Sequence, residues 1–209
     1  MTSVKRNGGS RITRLVIVLA LGCASTDAAR GGPIHDAARK GDQATVVDLL
    51  KQNPDLVSSR DKMGNTPLHL AALHNQPAVA ALLLANGADV NAQNTVARAE
   101  RAGETPLGLA LMSYEHKEML ELLLTHGAEV NVMLSGGTTP LSRAIDRDLP
   151  YDVELLLANG ADPNATGYYG QTPVHLAIFH ARTRVLELLL DYGADPNAKD
   201  WDGHTPLAR

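Results

Sequence analysis

The sequence predicts an all-α solenoid of stacked helix–turn–helix units. The hexapeptide GADPNA at 160–165 recurs unchanged 33 positions later, at 193–198. Thr-Pro dipeptides recur five times, at spacings between 33 and 39 residues. Aromatic residues make up only 3% of the chain, so the apolar content is mainly Leu, Ala and Val, which suits thin, closely packed helices. A regular period in this range indicates one supersecondary unit laid down repeatedly.

Each unit has the sequence signals of two short helices. In the copy at 65–72, NTPLHLAA, the threonine is a helix N-cap and the proline is favoured in the first turn. A second helix carries the leucine triplet at 82–84, and Gly87 closes it where a left-handed residue is needed. Helix pairs this short cannot bury their own apolar faces, so neighbouring units must stack to form one core. The GADPNA segments are then the exit turns of successive units.

These motifs resemble those of ankyrin-repeat proteins, whose signature T-P-L-H-x-A falls within a 33-residue unit. The resemblance rests on NTPLHLAA, on the other Thr-Pro starts and on four Gly-Ala-Asp/Glu turns, each followed two residues later by Asn. It covers roughly residues 32–209. It implies an ankyrin-repeat solenoid whose helix pairs are joined by β-turn fingers, and a role in binding other proteins.

We divide the chain into a signal-like segment at 1–23, a flexible tether at 24–31 and an ankyrin-repeat domain at 32–209. The first unit of the domain lacks the threonine and is polar, as expected of the terminal cap that a solenoid needs. The cap is followed by four full repeats and one partial repeat. The bounds of the cap and of these repeats are about 32–60, 61–93, 94–133, 134–165, 166–198 and 199–209.

The N-terminal segment has the layout of a bacterial export signal. Residues 1–22 contain four basic residues and no acidic residue, and they end in the apolar run LVIVLALG. This run is too short to cross a ~30 Å hydrocarbon core as a helix, whereas its layout is typical of secretory signals. The order LALGC at 19–23 also resembles a lipobox, which implies lipidation of Cys23 and an exported protein, periplasmic or tethered to a membrane. Cleavage after Ala24 or Ala28 without lipid, or retention in the cytoplasm, are the alternatives.

The remainder of the chain is acidic. Outside residues 1–22 it carries 15 Lys and Arg against 23 Asp and Glu, a net charge of −8. This balance argues against nucleic acid as a partner, because phosphate contacts require a basic surface. The single cysteine excludes an intrachain disulfide and argues against a cysteine-ligated zinc site. A membrane is expected as a partner only through the lipid anchor.

The histidines give no sign of catalysis or metal binding. His35, His69 and His175 occupy the same position of their repeats and are expected to hydrogen-bond backbone or threonine groups between units. Since successive units lie about 10 Å apart, they cannot share a metal ion held at ~2 Å. The other histidines fall at turns or helix ends without ligand-like spacing: His74, His116, His126, His180 and His204. With no phosphate loop, H-E-x-x-H or G-x-S-x-G motif, the sequence predicts no enzyme, cofactor or metal.

The resemblance also implies where a partner protein would bind. In ankyrin arrays, recognition uses the exposed turns and the adjoining face of the first helix, which line a concave groove. Carried over by alignment, this points to the residues that flank each turn glycine and those that end each first helix. They are Lys62, Met63, Asn65, Leu73, His74, Arg101, Glu104, Met112, Ser113, Ser135, Thr138, Asp146, Arg147, Tyr168, Tyr169, Gln171, Phe179, His180, Trp201 and His204.

Four of the seven aromatic residues fall on this face, at its C-terminal end: Tyr168, Tyr169, Phe179 and Trp201. Aromatic anchors dominate binding energy at protein interfaces. We therefore expect the groove between Tyr168 and Trp201 to be the main contact for another protein. The alternative is that Phe179 and Trp201 pack between units as part of the core.

The segment 200–209 opens a sixth unit and stops after one helical turn, which leaves the apolar face of the fifth unit uncovered. The sequence therefore predicts a non-catalytic interaction scaffold that binds another protein. Self-association through the uncovered repeat and a host-directed effector role are the alternatives. The scaffold does not specify the partner, because ankyrin arrays bind unrelated proteins.

Overall fold

A computed structural model describes residues 31–95, 103–113 and 116–208. Ten α-helices follow one another in these ranges, two to each of five units. Their bounds are α1 Pro33–Lys40, α2 Gln43–Gln52, α3 Pro67–Leu73, α4 Pro77–Ala85, α5 Pro106–Ala110, α6 Lys117–Thr125, α7 Pro140–Asp146, α8 Pro150–Ala158, α9 Pro173–Phe179 and α10 Thr183–Asp191.

Short 3-10 turns lie at Pro54–Ser58, Ser135–Gly137 and Tyr168–Gly170. No β-strand forms in the described ranges, where an isolated bridge joins Leu134 and Thr138. The predicted all-α fold of stacked helix pairs is confirmed. The proposed signal at 1–23, with Cys23, and residues 24–30 of the tether lie outside the described residues, as does Arg101.

The threonines begin the first helices as predicted. Thr66, Thr139 and Thr172 each take part in a capping box at the start of α3, α7 and α9. The Thr105 side chain accepts a hydrogen bond from the Gly108 backbone N–H at 3.1 Å. Each cap satisfies a backbone donor that the first helical turn would otherwise leave unpaired. A proline in the first turn follows every one of these threonines.

The exit turns of the repeats share one backbone conformation. Gly87 has φ 86°, and Gly127, Gly160 and Gly193 lie between 83° and 87°. This is the left-handed region, which the sequence predicted for Gly87 and which glycine enters without steric cost. The identical hexapeptides at 160–165 and 193–198 thus reflect the same conformational requirement.

The exit-turn asparagines link each unit to the next. The Asn131 side-chain amide donates to the Gly160 carbonyl at 2.9 Å, and its oxygen accepts from the Asp162 backbone N–H at 2.8 Å. Asn91 and Asn164 make the same two bonds across their own interfaces. Each asparagine therefore pairs with the glycine and the acidic residue of the following exit turn, a role that the sequence analysis had not assigned.

The recurring histidines also bridge neighbouring units. His69 Nδ1 accepts from the Thr66 backbone N–H at 3.1 Å, so the ring hydrogen lies on Nε2 and is donated to the Glu104 carbonyl at 3.0 Å. His175 repeats this arrangement, and His35 Nε2 lies 3.1 Å from the carbonyl oxygen of residue 65. The predicted structural role of these histidines is confirmed. Burial lowers the pKa of His69 to about 4, so its imidazole is neutral at pH 7.

The core is a single aliphatic cluster that runs through all five units, from Ile34 to Ala194. No Phe, Trp or Tyr side chain is buried in the part of the chain that the structure describes. The first helices pack closely in two runs, α1–α3–α5 and α7–α9, and the second helices in α2–α4–α6 and α8–α10. Between the third unit (α5, α6) and the fourth (α7, α8), helix-to-helix packing is sparser. We call this contact the 3–4 interface.

Candidate protein-binding groove

One residue of each unit lies seven positions after the start of the repeat motif, within two residues of the end of the first helix. These residues are Arg39, Leu73, Met112, Asp146 and Phe179, and we call them the end-of-helix row. Members of the row share pockets with residues of the turns that precede the first helices of neighbouring units. Two pockets follow from this arrangement.

The apolar pocket has a volume of about 390 Å³ and spans the second, third and fourth units. Leu73 and Leu109 contribute apolar surface, and Met63 and Met112, which are 45% and 43% exposed, line it as well. Seven residues of the predicted groove line this pocket: Met63, Asn65, Leu73, Glu104, Met112, Ser135 and Arg147. Sequence reasoning missed three further lining residues: Asn94, Leu109 and Arg143.

A buried ion pair forms one wall of the apolar pocket. Arg143 donates from both terminal nitrogens to the two carboxylate oxygens of Glu104, at 2.7 and 2.9 Å. Arg143 also donates to the Gly108 carbonyl at 2.9 Å. Glu104 is only 5% exposed, so its expected position on an exposed turn is wrong. Its carboxylate is held by Arg143, because the glycine at position 108 leaves room for the pair.

The remaining polar wall is also hydrogen-bonded within the protein. The Asn94 side-chain amide donates to the Asn65 side-chain oxygen at 3.0 Å. The Asn94 oxygen accepts from the Glu104 backbone N–H at 3.0 Å, and the Asn65 amide donates to Asp61 at 3.2 Å. These internal bonds keep the wall rigid.

The second pocket, which we call the Asp146 pocket, has a volume of about 250 Å³ between the fourth and fifth units. Four residues of the predicted groove line it: Thr138, Asp146, Tyr168 and Gln171. Asp146 Oδ1 lies 3.3 Å from His180 Nε2. Burial raises the pKa of Asp146, although His180 and Arg143 act in the opposite direction. The carboxylate is therefore partly stripped of water while it still faces the groove.

The aromatic residues at the C-terminal end of the groove are exposed. Phe179 and Trp201 expose 73% and 76% of their surface, so the alternative that they pack in the core is wrong. Tyr168 and Tyr169 are also exposed, and their ring centroids lie 4.0 Å apart. Trp201 lies against Gly170, where a Cβ would come within 2.2 Å of the indole ring. A glycine is therefore required beneath this tryptophan.

The other predicted groove residues occupy varied surroundings. Lys62 and His74 are exposed, and desolvation together with nearby Arg39 lowers the pKa of His74. The Ser113 carbonyl accepts from His116 Nδ1 at 2.8 Å and from Arg147 at 3.4 Å. The first bond lies within the third unit, and the second crosses the 3–4 interface.

Asp200, Asp202 and His204 place three potential ligand atoms within 4.8 Å of one another. Asp200 Oδ1, however, accepts from the backbone N–H groups of the other two residues, at 3.0 and 2.9 Å. Asp61 accepts in the same way from Met63 in the second unit. The cluster therefore follows from the turn that opens each repeat.

A buried histidine–aspartate pair lies on the opposite side of the 3–4 interface. His116 Nε2 lies 2.5 Å from Asp152 Oδ2, and both residues are less than 5% exposed. A pocket of about 400 Å³ beside the pair is also lined by Tyr151. The sequence predicted His116 at a turn and did not indicate this partner, because the two residues lie 36 positions apart in different repeats.

None of the helices in the described ranges combines the length and the apolar character that a membrane span requires.

The stacked helix pairs and the groove beside them define a helical-repeat protein. Family models described as ankyrin repeats match the whole chain: a three-copy model matches residues 1–94 and 95–167, and a many-copy model matches 156–209. The chain belongs to the ankyrin-repeat family. Ankyrin repeats generally mediate protein–protein binding, and the family is generally non-catalytic.

The chain is similar to segments of three much larger proteins. It is 44% identical over 90 residues to the serine/threonine-protein kinase VIK of Arabidopsis thaliana, covering 43% of this chain and 19% of the kinase. It is 34% identical over 119 residues to inversin of Gallus gallus, covering 57% of this chain and 10% of inversin. It is 35% identical over 119 residues to the neurogenic locus Notch protein of Drosophila melanogaster, covering 54% and 4% respectively. The chain thus spans less than a fifth of the length of each relative.

Proposed function

We propose that this chain is a non-catalytic scaffold that binds another protein through its concave groove, with the C-terminal aromatic residues as the main contact. The observation that carries the proposal is the exposure of Phe179 and Trp201, at 73% and 76%. Large rings are costly to leave in water and are enriched at binding hot spots. With Tyr168 and Tyr169 they form a set of four exposed rings at the C-terminal end of the predicted groove, which we call the aromatic surface, and the Trp201 backbone N–H donates to the Tyr169 carbonyl at 3.2 Å.

The family and the described geometry support this function over catalysis. The kinase relative shares a segment that is 19% of its own length, so kinase activity does not follow from the similarity. Glu104, which is buried, and Arg143, which is half-buried, are paired with each other in the groove. They stabilise the wall of a pocket and are not arranged as a reacting acid and base.

The test is a comparison of two variants of the full chain as bait. We expect Phe179→Ala/Trp201→Ala to lose the proteins that the wild-type chain captures from cells of its source. Tyr192→Ala is the matched control, because Tyr192 is a 42% exposed aromatic residue that directly follows a second helix, α10, and is not among the predicted groove residues. For a captured partner, the double variant should bind at least tenfold more weakly, since truncated hot spots typically cost about 2 kcal/mol or more.

Thermal unfolding of each variant separates binding from folding. Equal losses of partner binding in the double variant and in Tyr192→Ala would contradict a contact at the aromatic surface. A loss of binding that only accompanies unfolding would contradict it as well.

Self-association is a second candidate function. Leu190 and Leu207 expose 43% and 85% of their surface at the C-terminal end of the stack. Light scattering should then show dimers that dissociate in Leu190→Glu and Leu207→Glu. Leu189 is unsuitable for this test because it is fully buried. A monomer at all concentrations would contradict self-association.

We further propose, from the residues at 1–23, that the protein is exported and lipidated at Cys23. Mass spectrometry of the mature N-terminus distinguishes a lipidated Cys23 from a clipped chain and from an intact Met1. An intact Met1 would favour a cytoplasmic protein.

A further inference from the structure

Asp146 is unusual within the end-of-helix row. The second, third and fifth units place Leu73, Met112 and Phe179 at this position, whereas the fourth unit places a carboxylate there. Asp146 is the last residue of α7, where the helix dipole disfavours a negative charge. Helix stability therefore does not account for an acidic residue at this position, and its contact with His180 Nε2, at 3.3 Å, is an ion pair only when the imidazole is protonated.

The surroundings of Asp146 suit a positively charged group. The carboxylate shares its pocket with Tyr168, whose side chain is largely exposed, and with the Gln171 side chain. A cation over a tyrosine ring is attracted by the ring quadrupole, and a partly desolvated carboxylate attracts it as well. The nearest cationic side chain of α7, Arg143, is held by Glu104 on the other side of the wall.

The neighbouring apolar pocket suits an uncharged group. Glu104 and Arg143 neutralise each other in its wall, and Asn65 and Asn94 bond to one another. A basic group that entered there would lose water and meet the cationic Arg147, which also lines the pocket, without gaining an opposite charge. The flexible, polarisable side chain of Met112 adapts to the shape of an apolar side chain.

The two pockets lie next to each other along the groove. Consecutive residues line the two pockets. Ser135 lines the apolar pocket and Gly136 lines the Asp146 pocket. Likewise, Arg147 lines the apolar pocket and Asp146 lines the Asp146 pocket. Neighbouring packed helices lie about 10 Å apart, a distance that about three residues of extended chain span.

We propose that the groove selects an extended segment of a partner protein in which a lysine or arginine lies about three residues from an apolar residue. The basic side chain enters the Asp146 pocket, and the apolar side chain enters the pocket between Met63 and Met112. This proposal rests on the proposed function and specifies its partner. The net charge of −8 outside residues 1–22 favours the approach of such a basic segment.

The probe is a phage-displayed library of random 12-residue peptides, selected on the full chain. We expect enriched peptides that contain a basic residue about three positions from an apolar one. An arginine-containing peptide is then synthesised, together with a copy in which uncharged citrulline replaces the arginine. Citrulline keeps the shape of the side chain and removes its charge. Enrichment of acidic peptides, or of peptides without a basic residue, would overturn the proposal.

The decisive measurement is a double-mutant cycle with two matched variants. Against the wild-type chain and against Asp148→Asn, citrulline should weaken peptide binding about tenfold, as expected for a cation placed over a ring and beside a carboxylate. Against Asp146→Asn, the same change should weaken binding less than twofold. Asp148 is the control because it carries the same charge two residues away, pairs with Arg182 and lies outside the pocket. An equal effect of citrulline on all three chains would overturn the proposal.

Phe179→Ala separates this proposal from the proposed function. Peptides that bind Asp146→Asn normally but no longer bind Phe179→Ala would support the groove as a binding surface. They would contradict its selectivity for a lysine or arginine side chain. Binding that is unaffected by both substitutions, or a selection that enriches no peptide, would contradict the groove as a binding surface and the further inference together.

Discussion

Two neighbouring interfaces of the stack use different polar contacts. One joins the second and third units, and the other is the 3–4 interface. In the former, His69 of the second unit donates to the Glu104 carbonyl of the third, and α3 packs closely on α5. In the 3–4 interface the equivalent histidine position holds Gly108. A Cβ at position 108 would lie 2.8 Å from a Glu104 carboxylate oxygen. Loss of the histidine side chain therefore makes room for the ion pair with Arg143.

The comparison shows that a repeat interface can exchange a backbone-directed histidine for charged side chains. The 3–4 interface contains two buried polar pairs, Glu104–Arg143 and His116–Asp152, where helix packing is sparser. Charged pairs stabilise only when both partners are present, because a single remaining charge is buried without compensation. The 3–4 interface should therefore be more sensitive to single substitutions of polar residues than the other interfaces.

The largest effect is expected from Arg143→Ala. Removal of the guanidinium leaves the Glu104 carboxylate buried and unpaired, which should lower the free energy of unfolding by about 4 kcal/mol. Urea unfolding measures this change. Arg182→Ala is the control, because its pair with Asp148 is much more exposed and should cost about 1 kcal/mol or less. Similar losses of unfolding free energy in both variants would contradict a larger contribution of the Glu104–Arg143 pair than of the exposed pair.

The histidine-linked interface should instead be sensitive to pH. The pKa of His69 is about 4 in the folded protein and near 6.5 when unfolded, so the unfolded chain binds more protons between these values. His69 alone should lower the free energy of unfolding by about 3 kcal/mol as the pH drops from about 6.5 to 4. The control is His69→Ser, which installs the residue that the fourth unit uses at this position, and it should flatten the dependence. An unchanged pH dependence of the free energy of unfolding in His69→Ser would contradict the assignment of this pH dependence to His69.

A smaller loss is expected from Asp152→Ala in the 3–4 interface. His116 Nε2 would remain buried without its carboxylate partner, which should lower the free energy of unfolding by about 2 kcal/mol. Glu154→Ala on the same helix removes an exposed carboxylate and should change stability by less than about 0.5 kcal/mol. Chemical denaturation of the two variants provides the comparison, and equal values would exclude a stabilising buried pair.

The smallest effect should be the same in both regions. Asn131→Ala and Asn91→Ala each remove two hydrogen bonds between exit turns, one across the 3–4 interface and one across the preceding interface. Because these bonds are exposed, each substitution should cost about 1 kcal/mol. A much larger loss of unfolding free energy for Asn131→Ala than for Asn91→Ala would indicate that the exit turns supply most of the stability of the 3–4 interface.

Much of the groove followed from alignment of the repeats. Position in a repeat placed Met63, Leu73 and Met112 around the apolar pocket and Tyr168 beside Asp146. Arg143 was missed because it lies one helical turn before the end-of-helix row. The burial of Glu104 was missed because a turn residue is ordinarily exposed, and nothing nearby in the sequence indicates its ion pair 39 positions away.

The sequence by itself determined the repeating architecture, because threonine caps, first-turn prolines and left-handed glycines act on neighbouring backbone atoms. It also determined that the core would be aliphatic, since so few rings were available. Only the tertiary structure decided which polar residues became buried pairs. Those partners come from different units, and their burial depends on how closely two units approach. The exposure of Phe179 and Trp201 was decided in the same way, by the shape of the stack around them.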